Sequence, residues 1–285
     1  MVKQELESKM RFSLVTNAAS KDAGRLLHII PHWLRVFDQS LVELCVLVDA
    51  KPLEGRIADL HATEANLEKV RDVLRLLAGE HKRLRWRELD YGSLEKVSRQ
   101  WWTQGKPVRC QAGSPIFAFS ASIMEAKTEF VLRADCDMLF ADNGWVDEGY
   151  RQLTADECDV VSPPRLGTNP PEFSSRAFLL NWSRFRARNL PMKLARLDWL
   201  RSVQRRVLGR SSVRCFEDTI NEQITQGRIR HTVLPVALGS SMHVFRAEDT
   251  EAALFPSVVA RWEKGEIPRA QIESGWEWNY CRDAW

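Results

Sequence analysis

FVLRADCDMLF, residues 130–140, is an apolar run of strand type that ends abruptly in two aspartates one residue apart, Asp135 and Asp137. Two carboxylates at one strand tip repel each other and lose hydration together, a conflict that a shared cation removes. Alternate residues of an extended segment can present both side chains to one ion, and oxygen ligands of this kind suit Mg2+ or Mn2+. The triplet therefore reads as a divalent-metal site with Asp135 and Asp137 as ligands. An acidic turn that merely ends a strand is the plainer alternative.

Outward from this stretch, short β-rich runs alternate with longer segments of helical period, the pattern of an α/β fold with a mostly parallel central sheet. Strands are expected at 11–16, 44–49, 83–89, 130–135, 159–162 and 229–237, and helices over 22–37, 57–78, 114–127, 218–226 and 249–263. SPPRLGTNPPEFSS, residues 162–175, holds four prolines and reads as a loop. Three strands finish in polar residues at the ends where open parallel sheets bind ligands: Thr16 with Asn17, then Asp49, then Asp135 with Asp137. Far apart in sequence, these positions are expected to converge on one crevice.

The composition bounds the partners. A chain of 285 residues can bury a sizeable core as one large domain or two small ones. With 41 Lys and Arg against 38 Asp and Glu, a net charge of +3 argues against a polyanion partner for the molecule as a whole, nucleic acid included. The opening MVKQELESKM mixes both signs and lacks the apolar core of a signal peptide, and no stretch approaches the roughly 18 apolar residues of a membrane span, so a cytoplasmic location is expected. The cysteines at 45, 110, 136, 158, 215 and 281 stand singly and read as reduced, buried residues. His28 and His32 have metal-binding spacing on the first helix but show no carboxylate partner in the sequence. His231 reads as an ordinary strand residue.

The longer stretch ASIMEAKTEFVLRADCDMLF, 121–140, resembles the central motif of family 2 glycosyltransferases of the GT-A fold, in which a helix with small residues and a closing Ala leads through a short link into a strand ending in a DxD triplet. Ala126, the link KTEF and the triplet DCD match in order and spacing. FSLVTNAASKDAGRLLHIIPHWL, 12–34, is similar to the opening βα unit of that family, CVLVDA, 45–50, to its second strand, and CFEDTINEQI, 215–224, to its Glu-Asp motif at a helix start. The resemblance covers most of residues 11–245. Two departures stand out: Phe119 and Ser120 occupy the place of an Arg-Asn pair, and the helical stretch 56–83 lengthens the segment between Asp49 and Asp135.

The resemblance implies a GT-A, Rossmann-like αβα sandwich in one domain, with a nucleotide-binding half (10–140), an acceptor-binding half (141–250) and a C-terminal helix with an aromatic tail (251–285). It further implies a metal-dependent hexosyl-type transfer, with inversion expected, from a nucleotide-diphosphate sugar to a glycan, lipid-linked or small-molecule acceptor. Asp135 and Asp137 would meet metal and diphosphate, Thr16, Asn17 and Asp49 the nucleotide. Asp218 would be the base and Glu217 its support, while His243, in GSSMHVFRAED, would add a third metal ligand as in some members of the fold. Taken alone, FEDTINEQI reads as a helix start with Asp218 as its N-cap. A nucleotidyltransferase shares the layered core, although TNAASKDAG, 16–24, is a poor version of its Gly-rich phosphate loop. A degenerate protein that binds sugar nucleotide or carbohydrate without turnover is the reading outside enzymes.

Residues 176–210 carry nine arginines and one lysine against Asp198, a local net of +9. Trp199, Val203 and Val207 share one helical face there, as in a basic amphipathic helix. Three readings follow: a patch on the inner membrane surface near a lipid-linked acceptor, a clamp for an acidic acceptor or the diphosphate, or a solvated helix packed on the domain by its aliphatic face. The tail ESGWEWNYCRDAW, 273–285, reads as a sugar-stacking surface or a hydrophobic latch.

Overall fold

The computed structural model describes residues 10–51, 63–163, 172–208, 210–234, 241–245, 255–266 and 277–279, with backbone alone for 241–245 and 277–279. Its main sheet has seven strands in the order β3-β2-β1-β4-β7-β6-β8. They are β1 (Phe12–Ala18), β2 (Leu41–Val48), β3 (Leu84–Glu88), β4 (Phe130–Ala134), β6 (Val160–Ser162), β7 (Ala177–Asn181) and β8 (His231–Val233). β1 pairs in parallel with β2 and with β4, β2 with β3, and β6 with β8, whereas β7 runs antiparallel to both its neighbours. This is the expected α/β sandwich with a mostly parallel sheet. β7 itself is hidden in the sequence, because AFLLN lies inside the arginine-rich stretch, where basic residues surround its apolar ones.

Period-two alternation covers both faces of the sheet. Leu14, Leu44, Val46, Val48 and Leu132 point to one core, with Trp33 and Leu74, and Val15, Cys45, Leu47 and Val131 to the other, with Trp101 and Phe117. The first core is closed by α1 (Ala23–Val36), α2 (Glu64–Glu80), α5 (Gly144–Thr154) and α9 (Phe255–Glu263). α3 (Leu94–Trp101), α4 (Ile116–Met124) and α8 (Phe216–Thr225) close the second; α6 (Trp182–Asn189) and α7 (Trp199–Val207) lie between β7 and α8 in sequence. In α1 the spacing Leu26, Ile29, Ile30, Trp33, Leu34 makes the buried stripe, and Thr63 caps α2 by accepting the Asn66 N–H at 3.2 Å. A smaller sheet, β10-β9-β5, joins β5 (Met138–Phe140), β9 (Ser241–Phe245) and β10 (Glu277–Asn279), so that His243 sits opposite Met138 in register.

His32 does have a carboxylate partner: its Nδ1 lies 3.0 Å from Oε1 of Glu263 on α9, and its Nε2 accepts the Phe140 N–H at 3.2 Å. The pair joins two helices to β5, and only the tertiary contact of α1 with α9 could reveal it. His231 is a strand residue as expected, 2.9 Å from the Ser162 hydroxyl, and burial lowers its pKa to about 4.

One buried polar cluster sets how the chain enters β4. Glu43, 4% exposed, accepts from Ser13 Oγ at 2.8 Å, from Arg85 Nε at 2.6 Å and from the Lys127 N–H at 2.6 Å, while Thr128 bonds back to Ser13 Oγ at 2.9 Å. The KTEF link is thus clamped to β1 and β2. Burial alone would raise the Glu43 pKa; the bonds from Arg85, Lys127 and Ser13 outweigh it and hold the carboxyl below its ordinary value. A depressed carboxyl contributes stability above its unfolded pKa, near 4.3, and loses it as pH falls through the folded pKa. Glu43→Gln is therefore expected to lower the unfolding free energy by about 1–3 kcal/mol at pH 7. In urea titrations at descending pH the gap to the wild type should close below about pH 4, and a gap independent of pH would show that the charge of Glu43 has no part in it.

Candidate functional site

The strand order reverses beside β1: the chain passes outward from β1 through β2 to β3 and returns to form β4 on the other flank. At such a switch point the loops leaving the two parallel strands diverge and leave a crevice outside their carboxyl ends. A cavity of about 310 Å³ lies there, within the range of small-molecule sites. Asn17, Asp49, Asp135 and Asp137 line it as the sequence predicts, joined by Glu217. Thr16 does not reach it: fully buried in β1, it falls on the other side of the strand's alternation from Asn17.

Each residue is held by its surroundings. Asn17 Nδ2 donates to the Ala118 carbonyl at 3.0 Å, tying β1 to α4. Asp49, 3% exposed, accepts from the Tyr91 hydroxyl at 2.6 Å and the Lys51 N–H at 3.1 Å, and its other oxygen lies 3.0 Å from Arg109. Its carboxylate is committed to the protein as well as to the cavity wall.

The two aspartates of the triplet have arginine partners, where the sequence reading expected a metal ion to supply the countercharge. Arg25 of α1, 7% exposed, places Nη1 3.4 Å from Asp137 Oδ2 and 3.6 Å from Asp22 Oδ1. Arg133, 1% exposed in β4, pairs with Asp135 and donates to the Ser175 carbonyl at 2.7 Å, its guanidinium stacked 3.8 Å over the Phe119 ring. Phe119 stands where the family resemblance places an arginine, so here an aromatic face carries an arginine that comes from the strand. Burial pushes the Asp22 carboxyl up against the opposing pull of Arg25, and raises the Cys136 thiol well above its ordinary value.

Two carboxylates are few for a dication, and among the described residues no three His, Cys, Asp or Glu side chains converge on one point. The oxygen-only chemistry of the two carboxylates suits a hard dication such as Mg2+ or Mn2+, which Asp135 and Asp137 would hold. His243, the expected third ligand, has its backbone beside Met138; its side chain lies outside the described residues.

The Glu-Asp pair divides. α8 begins at Phe216, with Cys215 rather than Asp218 at the N-cap position, so Glu217 and Asp218 point to different sides of the first turn. Phe216 fixes the rotation, packed on Phe119 with centroids 5.4 Å apart and on Trp101 at 5.8 Å. Glu217 enters the cleft and accepts the Ser175 N–H at 2.9 Å. Asp218, the expected base, lines a second hollow of about 390 Å³ with Glu172 and Asn221, 3.4 Å from Arg214. Sequence reasoning missed Arg25, Arg133, Arg176 and Cys215 on the cleft wall. An arginine inside the apolar strand FVLRAD was the available signal for Arg133. The cysteines read singly also include a pair: Cys110 and Cys215 Sγ lie 3.4 Å apart, and the contact with Cys215 lowers the Cys110 thiol to about 6.

No protein family matches the sequence, and no curated protein is significantly similar to it. Solved structures of similar course include the galactosyltransferase LgtC in complex with donor and acceptor sugar analogs, 14% identical over 92% of this chain and 99% of that one, with a TM-score of 0.45. The mannosyltransferase PcManGT from Pyrobaculum calidifontis, in complex with GDP-Man and Mn2+, is 13% identical over 80% of this chain and 56% of that one, TM-score 0.45. The 4-diphosphocytidyl-2C-methyl-D-erythritol synthase from Anaerococcus prevotii is 9% identical over 89% and 97%, TM-score 0.44.

The arginine at the centre of the charge cluster can be tested directly. Arg25→Met removes the cation that lies between Asp22 and Asp137, and should lower stability by about 3–5 kcal/mol. Adding Asp137→Asn should recover part of the loss. An unchanged denaturation midpoint in the single variant would remove Arg25 as the counter-ion.

Proposed function

We propose that this protein transfers a sugar from a nucleotide-diphosphate donor to an acceptor hydroxyl. The observation that carries the reading is the meeting, at the switch point between β1 and β4, of Asn17, Asp49, the Asp135–Asp137 triplet and Glu217 in one cleft, as the resemblance to GT-A glycosyltransferases implies. The nucleotide would lie along the tips of β1 and β2, by Asn17 and Asp49. Its diphosphate would lie over the triplet, within reach of Lys21, Arg25 and Arg176 on the same wall.

As the donor bond breaks, negative charge grows on the leaving diphosphate. Fixed cationic groups in a cleft shielded from water stabilise that charge without reorganising. Arg25 and Arg133 are pre-positioned, one by salt bridges to Asp22 and Asp137, the other by Phe119 and the Ser175 carbonyl. A divalent cation, when bound, would add Lewis-acid stabilisation of the same oxygens, with Asp135 and Asp137 to hold it. The acceptor hydroxyl needs a base within hydrogen-bond reach. Glu217 is the carboxylate of the motif that faces the cleft and takes this role; Asp218 would orient an acceptor seated in the neighbouring hollow.

Thermal unfolding against a panel of nucleoside diphosphates and sugar nucleotides, with and without Mn2+, tests the donor site. One nucleotide should raise the melting temperature, since a ligand that binds only the native state must stabilise it, and Asp137→Ala should lose the metal-dependent part of the rise. Glu217→Gln should keep the shift and lose about 100-fold or more in transfer rate, a loss typical of a missing general base. Full activity of Glu217→Gln beside an inactive Asp218→Asn would return the base to Asp218, and no shift with any nucleotide would sink the reading.

A further inference from the structure

α7 lies within the arginine-rich stretch and faces the wrong way for a helix packed on a domain. At about 100° per residue, Trp199, Val203, Val207 and Leu200 fall within one arc of its surface. An apolar arc of that kind ordinarily turns toward the core. Here it turns outward: Trp199 is 75% exposed, Leu200 71% and Val207 82%, with Val203 half-exposed and Leu208, just past the helix, exposed as well. The polar side holds the helix to the body instead. Ser202 Oγ donates to the Leu197 carbonyl at 2.9 Å, Arg205 Nε to the Ser211 carbonyl at 2.6 Å and Arg205 Nη2 to the Gln111 carbonyl at 2.8 Å. The reading of α7 as a solvated helix packed by its aliphatic face is therefore overturned.

The surroundings say what covers the face. A hollow of about 280 Å³ near the helix is lined by Arg196 and Arg210, with Lys106, which is paired with Glu95 at 3.0 Å, at its edge. Arg201, on the helix itself, is exposed, with Asp198 3.4 Å away. A contiguous apolar stripe led by a tryptophan, beside cations placed for phosphate groups, matches the boundary of a bilayer with anionic headgroups. A second copy of the chain would bring the same cations against one another. Among the described residues no helix is long and apolar enough to cross a membrane, so the contact is one of surface docking.

We infer that α7 docks this protein on an anionic membrane surface, with Trp199, Leu200, Val203 and Val207 entering the acyl boundary and Arg196 and Arg210 taking lipid phosphates. The inference stands apart from the chemistry of the cleft. The grip of Arg205 on Gln111 ties the docking helix, by its polar side, to the segment that leads into Ser114 and Pro115 of the cleft wall.

Sedimentation of the full chain with vesicles of phosphatidylcholine alone, and of phosphatidylcholine mixed with phosphatidylglycerol, tests it. The protein should sediment with the anionic vesicles, less so at high salt, and weakly with the neutral ones. Trp199→Ser with Leu200→Ser should reduce vesicle partition by about tenfold or more, leaving the melting temperature unchanged because both side chains are exposed. Arg196→Glu with Arg210→Glu should abolish the preference for phosphatidylglycerol. Equal partition of wild type and the Trp199/Leu200 variant, or no sedimentation with anionic vesicles, would overturn the docking role. So would a concentration-dependent dimer in size-exclusion chromatography that the same variant abolishes, which would assign the face to a second copy.

Discussion

Parallel pairing on both flanks of β1 is the constraint on which the cleft depends. With β2 on one side and β4 on the other in the same direction, Asn17, Asp49 and Asp135 leave the sheet at one end, although more than a hundred positions separate the first from the last. Main-chain hydrogen bonds set this register, and the alternation of Leu14 with Val15 and Leu132 with Val131 locks it, because a slip of one residue would turn each core side chain to the opposite face. The buried Glu43 cluster adds the complementary control at the other end, where it clamps the link that feeds β4.

Electrostatic pairing then decides the character of the cleft. Carboxylates and cationic side chains occur on its wall in nearly equal number, arranged as neighbouring pairs rather than as separate patches. Charge pairs of low exposure are favourable only when each group is met by a partner, and Arg25 and Arg133 meet that need from a helix and a strand that face the triplet from different sides. Arg133 occupies a position in β4 that period-two packing would give to an apolar residue. Its contacts with Phe119, Ser175 and Asp135 account for an arginine buried at that depth.

Aromatic packing orients the remaining functional groups. Phe216 inserts among Trp101, Trp102, Phe119 and Phe178, and this one side chain sets the rotation of α8 that directs Glu217 into the cleft and Asp218 away from it. Elsewhere the same physics leaves a surface open. α7 is secured by polar bonds and presents its apolar residues outward, so the stretch that unbalances the charge of the chain also carries its most exposed tryptophan among the described residues.

Much of this was legible in local sequence. The alternation of strand and helix, the polar strand tips and the DxD triplet follow from short-range period and composition, and the strands read at 11–16, 44–49, 83–89 and 130–135 lie within a few residues of those observed. Strand β7 was not legible, because its pairing partners β4 and β6 are remote and its flanks are basic. Nor were the arginine partners of the triplet, the contact of Cys110 with Cys215, or the division of Glu217 from Asp218. The sequence by itself determined which elements form and which polar residues end them, since propensity and period act over a few neighbours. Tertiary structure alone decided which charges meet and which faces stay open, since those depend on distances between segments that only the packed sheet and helices bring together.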